Sequence, residues 1–188
     1  MAKKSSNLPF VLTALLALGV VIVAWTGRDR FQMPGPGAPA PNFEAVTLDG
    51  EPVTLDNYRN KVVLLNIWAT WCPPCVWEMP SMQRLYDRFD GRDFEIVAVS
   101  VDGPQRGFTG PMGRPAGDPG AFADSLGLTF PILWDPEGGI MRQYRTSAVP
   151  ESFVIGRDGL MYRRVAGATE WDHPQYVEFI ERLLDEEG

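Results

Sequence analysis

The chain has 188 residues, enough for one domain with additions, and its 45% apolar and 22% charged content is that of a globular protein. Net charge is −7, and residues 1–30 set four basic side chains against Asp29 alone (+3), so the remainder carries −10. So acidic a domain offers no basic face to phosphates, which argues against a nucleic-acid partner, and two cysteines with one histidine, His173, cannot supply a four-ligand zinc site from Cys and His.

Residues 1–7 form a short polar tail. Leu8 to Gly27, LPFVLTALLALGVVIVAWTG, is uncharged, and as a helix rising ~1.5 Å per residue it would cross the ~30 Å hydrocarbon layer. It exceeds the ~7–15-residue apolar core of a cleaved signal, and Trp25 spoils a small-x-small cleavage pattern. An uncleaved transmembrane anchor is therefore expected over residues 8–27, rather than a cleaved leader. Lys3 and Lys4 favour the N-terminus inside, against Arg28 and Arg30 on the far flank, and Trp25 suits the outer interface. Residues 28–41 are rich in Pro and Gly, a composition that opposes helix and ladder formation and reads as a stiff linker. The domain, residues 42–188, is then expected on the oxidising side, where disulfides persist.

Glu44–Leu55 alternates apolar and polar residues around Asp49-Gly50, a type I′ hairpin signal. KVVLLNIWATW is a near-continuous apolar run, as for a strand buried on both faces. Pro73 to Asp90 follows as a helix with Met79, Met82, Tyr86 and Phe89 at 3–4 spacing, and Phe94–Asp102 as a second buried strand. Strand, helix, strand in this order implies a parallel pair with a right-handed crossover. Residues 103–120 are a Gly/Pro-rich insertion, either an exposed excursion or a partner-contacting loop. Asp118–Leu128 reads as a short helix closed by Gly127, FPILWD as a strand, EGGIMRQYR as a weak helix, and Glu151–Gly167 as an antiparallel hairpin around Arg157-Asp158-Gly159. A final helix presents Tyr176, Val177, Ile180, Leu183 and Leu184 on one face, with Asp172 as expected N-cap and Pro174 in the first turn. The whole is a mixed α/β domain with a parallel centre and an antiparallel edge.

The only cysteines, Cys72 and Cys75, fall where the first buried strand meets its helix. Sites in open parallel sheets lie beyond the carboxyl ends of the strands, and a helix start offers unpaired N–H groups that stabilise a thiolate. Cys72 is thus the expected nucleophile and Cys75, nearly a turn further in, the more buried resolving thiol. Pro73 and Pro74 are tolerated in a first turn, where N–H groups have no intrahelical partner, and they stiffen the loop between the cysteines. A disulfide closing so short a loop removes little chain entropy, so a redox couple is favoured over a structural staple.

WCPPC after an apolar strand resembles the thioredoxin superfamily. KVVLLNIWATWCPPCVWEMP together with VPESFVIGRDG resembles the TlpA/ResA family, which includes the CcmG (DsbE) reductases of cytochrome c maturation, over about Ala38 to Leu184. The resemblance implies a thioredoxin-like fold with an extra N-terminal hairpin, no cofactor, and a bacterial single-pass protein with a periplasmic or otherwise extracytoplasmic domain. It also implies disulfide-bearing protein substrates, apocytochrome c among the candidates, and a membrane electron donor of the thiol-carrier type.

The same resemblance gives Glu78, three residues after Cys75, a part in moving the Cys75 proton. Thioredoxin's buried aspartate is replaced here by Asn66, which cannot titrate. Val149-Pro150 matches the cis-proline loop that pairs with an incoming peptide; Trp71 is expected to shield the dithiol and present a docking surface, and Pro80 to kink the helix. Trp68 and Trp77 read as core or surface filler and His173 as structural. Two enzymatic alternatives remain, a thiol oxidase or isomerase and a thiol peroxidase. The second is disfavoured by Ala69, where peroxiredoxins of this fold carry Thr or Ser. The non-enzymatic alternative is a tethered binding module.

Overall fold

The computed structural model describes residues 8–26, 35–103 and 117–186. The expected tail (1–7) lies outside them, as do residues 28–34 of the expected linker and the centre of the 103–120 insertion. The chain divides into two units, Met1–Met33 and Pro34–Gly188. In the first, α1 runs Leu8–Thr26. Side chains are described for only part of this helix, and among the described residues no helix is long and apolar enough to cross a membrane.

The second unit is built on seven strands: β1 Glu44–Thr47, β2 Pro52–Thr54, β3 Val62–Trp68, β4 Phe94–Ser100, β5 Ile132–Trp134, β6 Glu151–Ile155 and β7 Met161–Ala166. They form one sheet in the order β2-β1-β5-β4-β3-β6-β7. The β3–β4 and β4–β5 pairs are parallel, while β6, β7, β1 and β2 join antiparallel on the two sides. The helices are α2 Pro73–Arg88, α3 Pro119–Leu126, α4 Gly139–Gln143 and α5 Pro174–Asp185. This is the thioredoxin-like mixed sheet expected from the sequence.

Every residue of β3 and of β4 is buried, which is what a central strand covered on both faces requires. Strand periodicity divides β3 between two cores. Val62, Leu64 and Trp68 pack with Met79, Met82 and Leu85 of α2 and Ile180, Leu183 and Leu184 of α5. Val63, Leu65 and Ile67 pack on the other face with Ile140, Tyr144, Phe43 and Phe153. Each such side chain contributes about 1.5–3 kcal/mol by leaving water. Asn66 has the parity of Leu64 and Trp68, so this one polar residue in the strand is delivered, fully buried, to the α2 face.

Three local expectations change. The β1–β2 turn is not type I′, which needs positive φ at both central residues. Gly50 N–H donates to Thr47 O at 3.0 Å, and within the turn only Gly50 has positive φ, +92°. That is a type I turn followed by a left-handed glycine. The Pro/Gly stretch is not free of ladder bonding: Pro39 bridges Leu160, Met161 N–H donates to Ala38 O, and Ala40 N–H donates to Gly159 O. Proline lacks only its own N–H, so its neighbours still bond along the outer side of β7 and cover a sheet edge. The cap of α5 is His173, whose Nδ1 accepts from Gln175 N–H at 3.3 Å, because Asp172 is drawn away to Arg84 on α2. His173 is structural, as expected.

Candidate active site

Cys72 caps α2, with Pro73 and Pro74 opening the helix. Its Sγ accepts from Cys75 N–H at 3.2 Å, so an otherwise orphaned first-turn donor faces the sulfur. Cys72 and Cys75 are disulfide-bonded, and Cys75 is completely enclosed while Cys72 keeps a sliver of surface, 4%. The Val149–Pro150 bond is cis, and Val149 O lies 3.4 Å from Cys72 Sγ. Pro150 is buried, Val149 and Trp71 are half-buried against the same core, and Pro73 is exposed. The chain thus brings together Trp71, Cys72, Pro73, Pro74, Cys75, Val149 and Pro150. Trp68 is core, its ring tilted by 41° against Phe122 at 5.2 Å, whereas Trp77 is 75% exposed on α2. The helix continues through Pro80.

Glu78 is 2% exposed, one turn beyond Cys75. Asn66 Nδ2 donates to its Oε1 at 2.8 Å, while Thr169 N–H and Trp171 Nε1–H donate to Oε2 at 3.3 and 3.4 Å. These donors are all neutral. Burial, which disfavours the charged form, outweighs the three hydrogen bonds that favour it, and the Glu78 carboxyl is pushed up to about 7. A buried carboxyl that titrates near neutrality is suited to taking and returning a proton. Asn66 Nδ2 also donates to Ser152 Oγ at 2.9 Å, and Asn66 Oδ1, equally buried, has no partner.

A second polar cluster holds the loop before Cys72. Thr70 N–H and Oγ1–H donate to the two oxygens of Asp102, at 2.9 and 2.7 Å. Ser100 Oγ–H donates to Asp102 Oδ2 at 2.6 Å, and Gly117 N–H donates to Thr70 Oγ1 at 2.6 Å. Sequence reasoning missed Asp102 and Thr70, although a signal existed: Trp68 pairs with Ser100 in the parallel ladder, so residues two beyond each strand end must meet. It also missed Ser152, Thr169 and Trp171, which reach the Asn66–Glu78 pair from 86 to 93 residues away with no local signature. Among the described residues no group of three or more potential ligands could hold a metal ion.

A thioredoxin-like sheet carrying a Cys-Pro-Pro-Cys disulfide at a helix cap, opposite a cis-proline, defines a thiol-disulfide oxidoreductase. The AhpC/TSA family model matches residues 36–164. The ResA thiol-disulfide oxidoreductase of Geobacillus thermodenitrificans is 34% identical over 171 residues, 90% of this chain and 91% of that one. ResA of Bacillus thuringiensis subsp. konkukian is 31% identical over 96% of this chain and 98% of its own. Among solved structures, a thiol:disulfide interchange protein of the thioredoxin family from Chlorobium tepidum superposes with a TM-score of 0.61 at 25% identity, covering 76% of this chain and 95% of its own. The chain belongs to the AhpC/TSA family and, within it, to the ResA-like thiol-disulfide oxidoreductases.

Proposed function

We propose that the protein works as an extracytoplasmic protein-disulfide reductase, with Cys72 as nucleophile, Cys75 as resolving thiol and Glu78 as proton acceptor for Cys75. What supports this reading is the placement of Cys72: it alone of the pair reaches the surface, its sulfur faces a helix-start N–H, and Val149 beside it offers backbone to an extended peptide. In the reduced enzyme the Cys72 thiolate attacks one sulfur of the substrate disulfide. That bond breaks, a mixed disulfide forms, and the second substrate sulfur leaves as thiolate. Cys75 gives its proton to Glu78 and attacks Cys72 Sγ, closing the disulfide seen here and releasing the first substrate sulfur. Two electrons pass to the substrate, and a thiol carrier in the membrane restores the dithiol.

Apocytochrome c is a substrate of the right kind, since its haem-attachment cysteines must be reduced. The uncharged α1, 19 residues or about 28 Å of helix, is proposed as the single-pass anchor with its N-terminus inside. The segment between it and the sheet is proposed as the tether, ending at about residue 36, because residues 37–40 are bonded onto the domain.

The test is the reduction potential of the Cys72/Cys75 couple in the full chain, by equilibration in thiol redox buffers. A value near or below about −270 mV is expected of a reductase that needs a membrane donor, whereas one toward about −120 mV would make the protein an oxidant. Cys72→Ser should abolish insulin- or peptide-disulfide reduction. Retained biological activity in that variant would leave only the tethered binding module.

A further inference from the structure

The donors around Glu78 raise a problem for its protonated form. A neutral carboxyl must point its O–H at an acceptor, yet each group bonded to Glu78 is a donor: Asn66 Nδ2 on Oε1, Thr169 N–H and Trp171 Nε1–H on Oε2. A backbone N–H and an indole N–H cannot become acceptors. A primary amide can, because a half-turn of its planar end exchanges NH2 for C=O within nearly the same volume. Asn66 carries an acceptor with nothing bonded to it, the fully buried Oδ1. The second partner of Asn66 tolerates the exchange as well. Ser152 Oγ accepts from Nδ2 as the site stands, and by turning its hydroxyl it can donate to an oxygen in the same place.

We infer that Asn66 is the positioning residue for the Glu78 proton: the proton resides on Oε1, and its arrival turns the Asn66 amide over. With Glu78 ionised, Nδ2 donates to Glu78 and to Ser152. With Glu78 protonated, Oδ1 takes that place and accepts from both hydroxyls. One end of the amide is unbonded in either orientation: Oδ1 when Glu78 is ionised, the amino group when it is protonated. Leu at position 66 could serve neither state, since it has no polar atom. Ser152 lies two residues after cis-Pro150 and opposite Asn66 in the β3–β6 ladder, so the amide links the buried proton to the strand that begins at the substrate-facing loop.

The groups packed around Glu78 are Asn66 on β3, Ser152 on β6, Thr169 and Trp171 between β7 and α5, and Tyr176 of α5 through its hydroxyl contact with Thr169. Asn66, Ser152, Thr169 and Trp171 present only an amide, hydroxyls, a backbone N–H and an indole, none of them ionic. On α2 itself the cysteines are joined as a disulfide and Arg84 is paired with Asp172.

This inference rests on Glu78 as the proton-carrying group, and its test needs no turnover. The full-length oxidised chain, isotope-labelled and held in detergent micelles, is titrated from about pH 5 to 9. NMR follows the Glu78 carboxyl carbon and the Asn66 side-chain NH2. The Asn66 signals should move with the same midpoint as Glu78. In Glu78→Gln, whose amide can permanently donate to Oδ1, they should become independent of pH. Asn66→Leu, which removes a hydrogen bond stronger to the charged than to the neutral carboxyl, should raise the Glu78 midpoint by about one pH unit. Asn66 signals that stay flat while Glu78 titrates would overturn the inference, and the wild-type measurement decides this even if Asn66→Leu fails to fold. Unchanged turnover in Glu78→Gln would instead sink Glu78's part in the reaction and leave the amide exchange standing.

Discussion

Of the three glutamates buried among the described residues, Glu151 is paired with Arg164, and the other two, at opposite ends of the sheet, are handled in opposite ways. Glu95, 8% exposed near the start of β4, receives the Lys61 ammonium at 2.7 Å and the Tyr86 hydroxyl at 2.9 Å. Glu78, 2% exposed near the cysteines, has three neutral donors and no cation. A cation beside a buried carboxylate offsets the cost of its burial, and such a pair serves structure. An unpaired carboxylate held by dipoles alone is left balanced between its forms, and only such a group can pass a proton back and forth near neutral pH. The contrast distinguishes chemistry from architecture among residues that look alike in the sequence.

The largest expected effects fall on Glu78. Its carboxyl rises from 4.5 in an unfolded chain to about 7 here, so the folded state binds the extra proton between those values. Its contribution to stability is then full below about pH 4.5 and is lost as pH climbs through 7, an effect of roughly 3 kcal/mol. Denaturant unfolding of Glu78→Gln against wild type should show the variant gaining relative stability between those pH values, and parallel curves would mean that Glu78 is not desolvated as described. The same variant should lose roughly 100-fold in the rate at which mixed disulfides resolve. Glu95→Gln should leave that rate unaltered, and an equal loss in both would erase the distinction between the two ends.

A smaller effect belongs to the paired end. Lys61→Met strands Glu95 with a single hydroxyl donor. Because Lys61 is 39% exposed, water relieves part of the loss, and about 1–2 kcal/mol is expected rather than the larger penalty of a fully buried pair. The midpoint of urea unfolding should fall with the slope and the disulfide-reduction rate unchanged. A fall in rate would show that the two ends communicate.

Much of this arrangement was legible along the chain. Continuous apolar runs marked β3 and β4, the cysteine pair marked the strand–helix junction, and the spacing of Cys75 and Glu78 put both on one side of α2. What was not legible depends on distant partners. Asp172 looked like a helix cap until Arg84, 88 residues earlier, claimed it. Asn66 was readable as an untitratable residue, but its service to Glu78 follows from strand parity together with a facing helix. The linker composition predicted freedom from pairing, yet an open edge beside β7 was available to residues 37–40, and the neighbours of each proline retain their hydrogen-bonding groups. Local composition reports what a segment prefers alone, and the partner decides wherever two preferences are close.

The smallest expected effect probes how the unpaired end is kept dry. Ser81, one turn after Glu78, accepts from Trp171 N–H at 3.0 Å and has its hydroxyl 2.7 Å from Glu78 O and 3.3 Å from Thr169 O. It therefore anchors both residues that donate to Glu78 Oε2. Ser81→Ala leaves the buried Trp171 N–H without its acceptor, at about 1 kcal/mol. If Trp171 and Thr169 then loosen their hold, the charged form of Glu78 loses support and its midpoint should rise by a fraction of a pH unit, visible in the pH dependence of the resolving step. Destabilisation with an unmoved midpoint would show that Asn66 alone fixes the ionisation of Glu78, so that the balance at this end of the sheet rests on one amide rather than on all three donors.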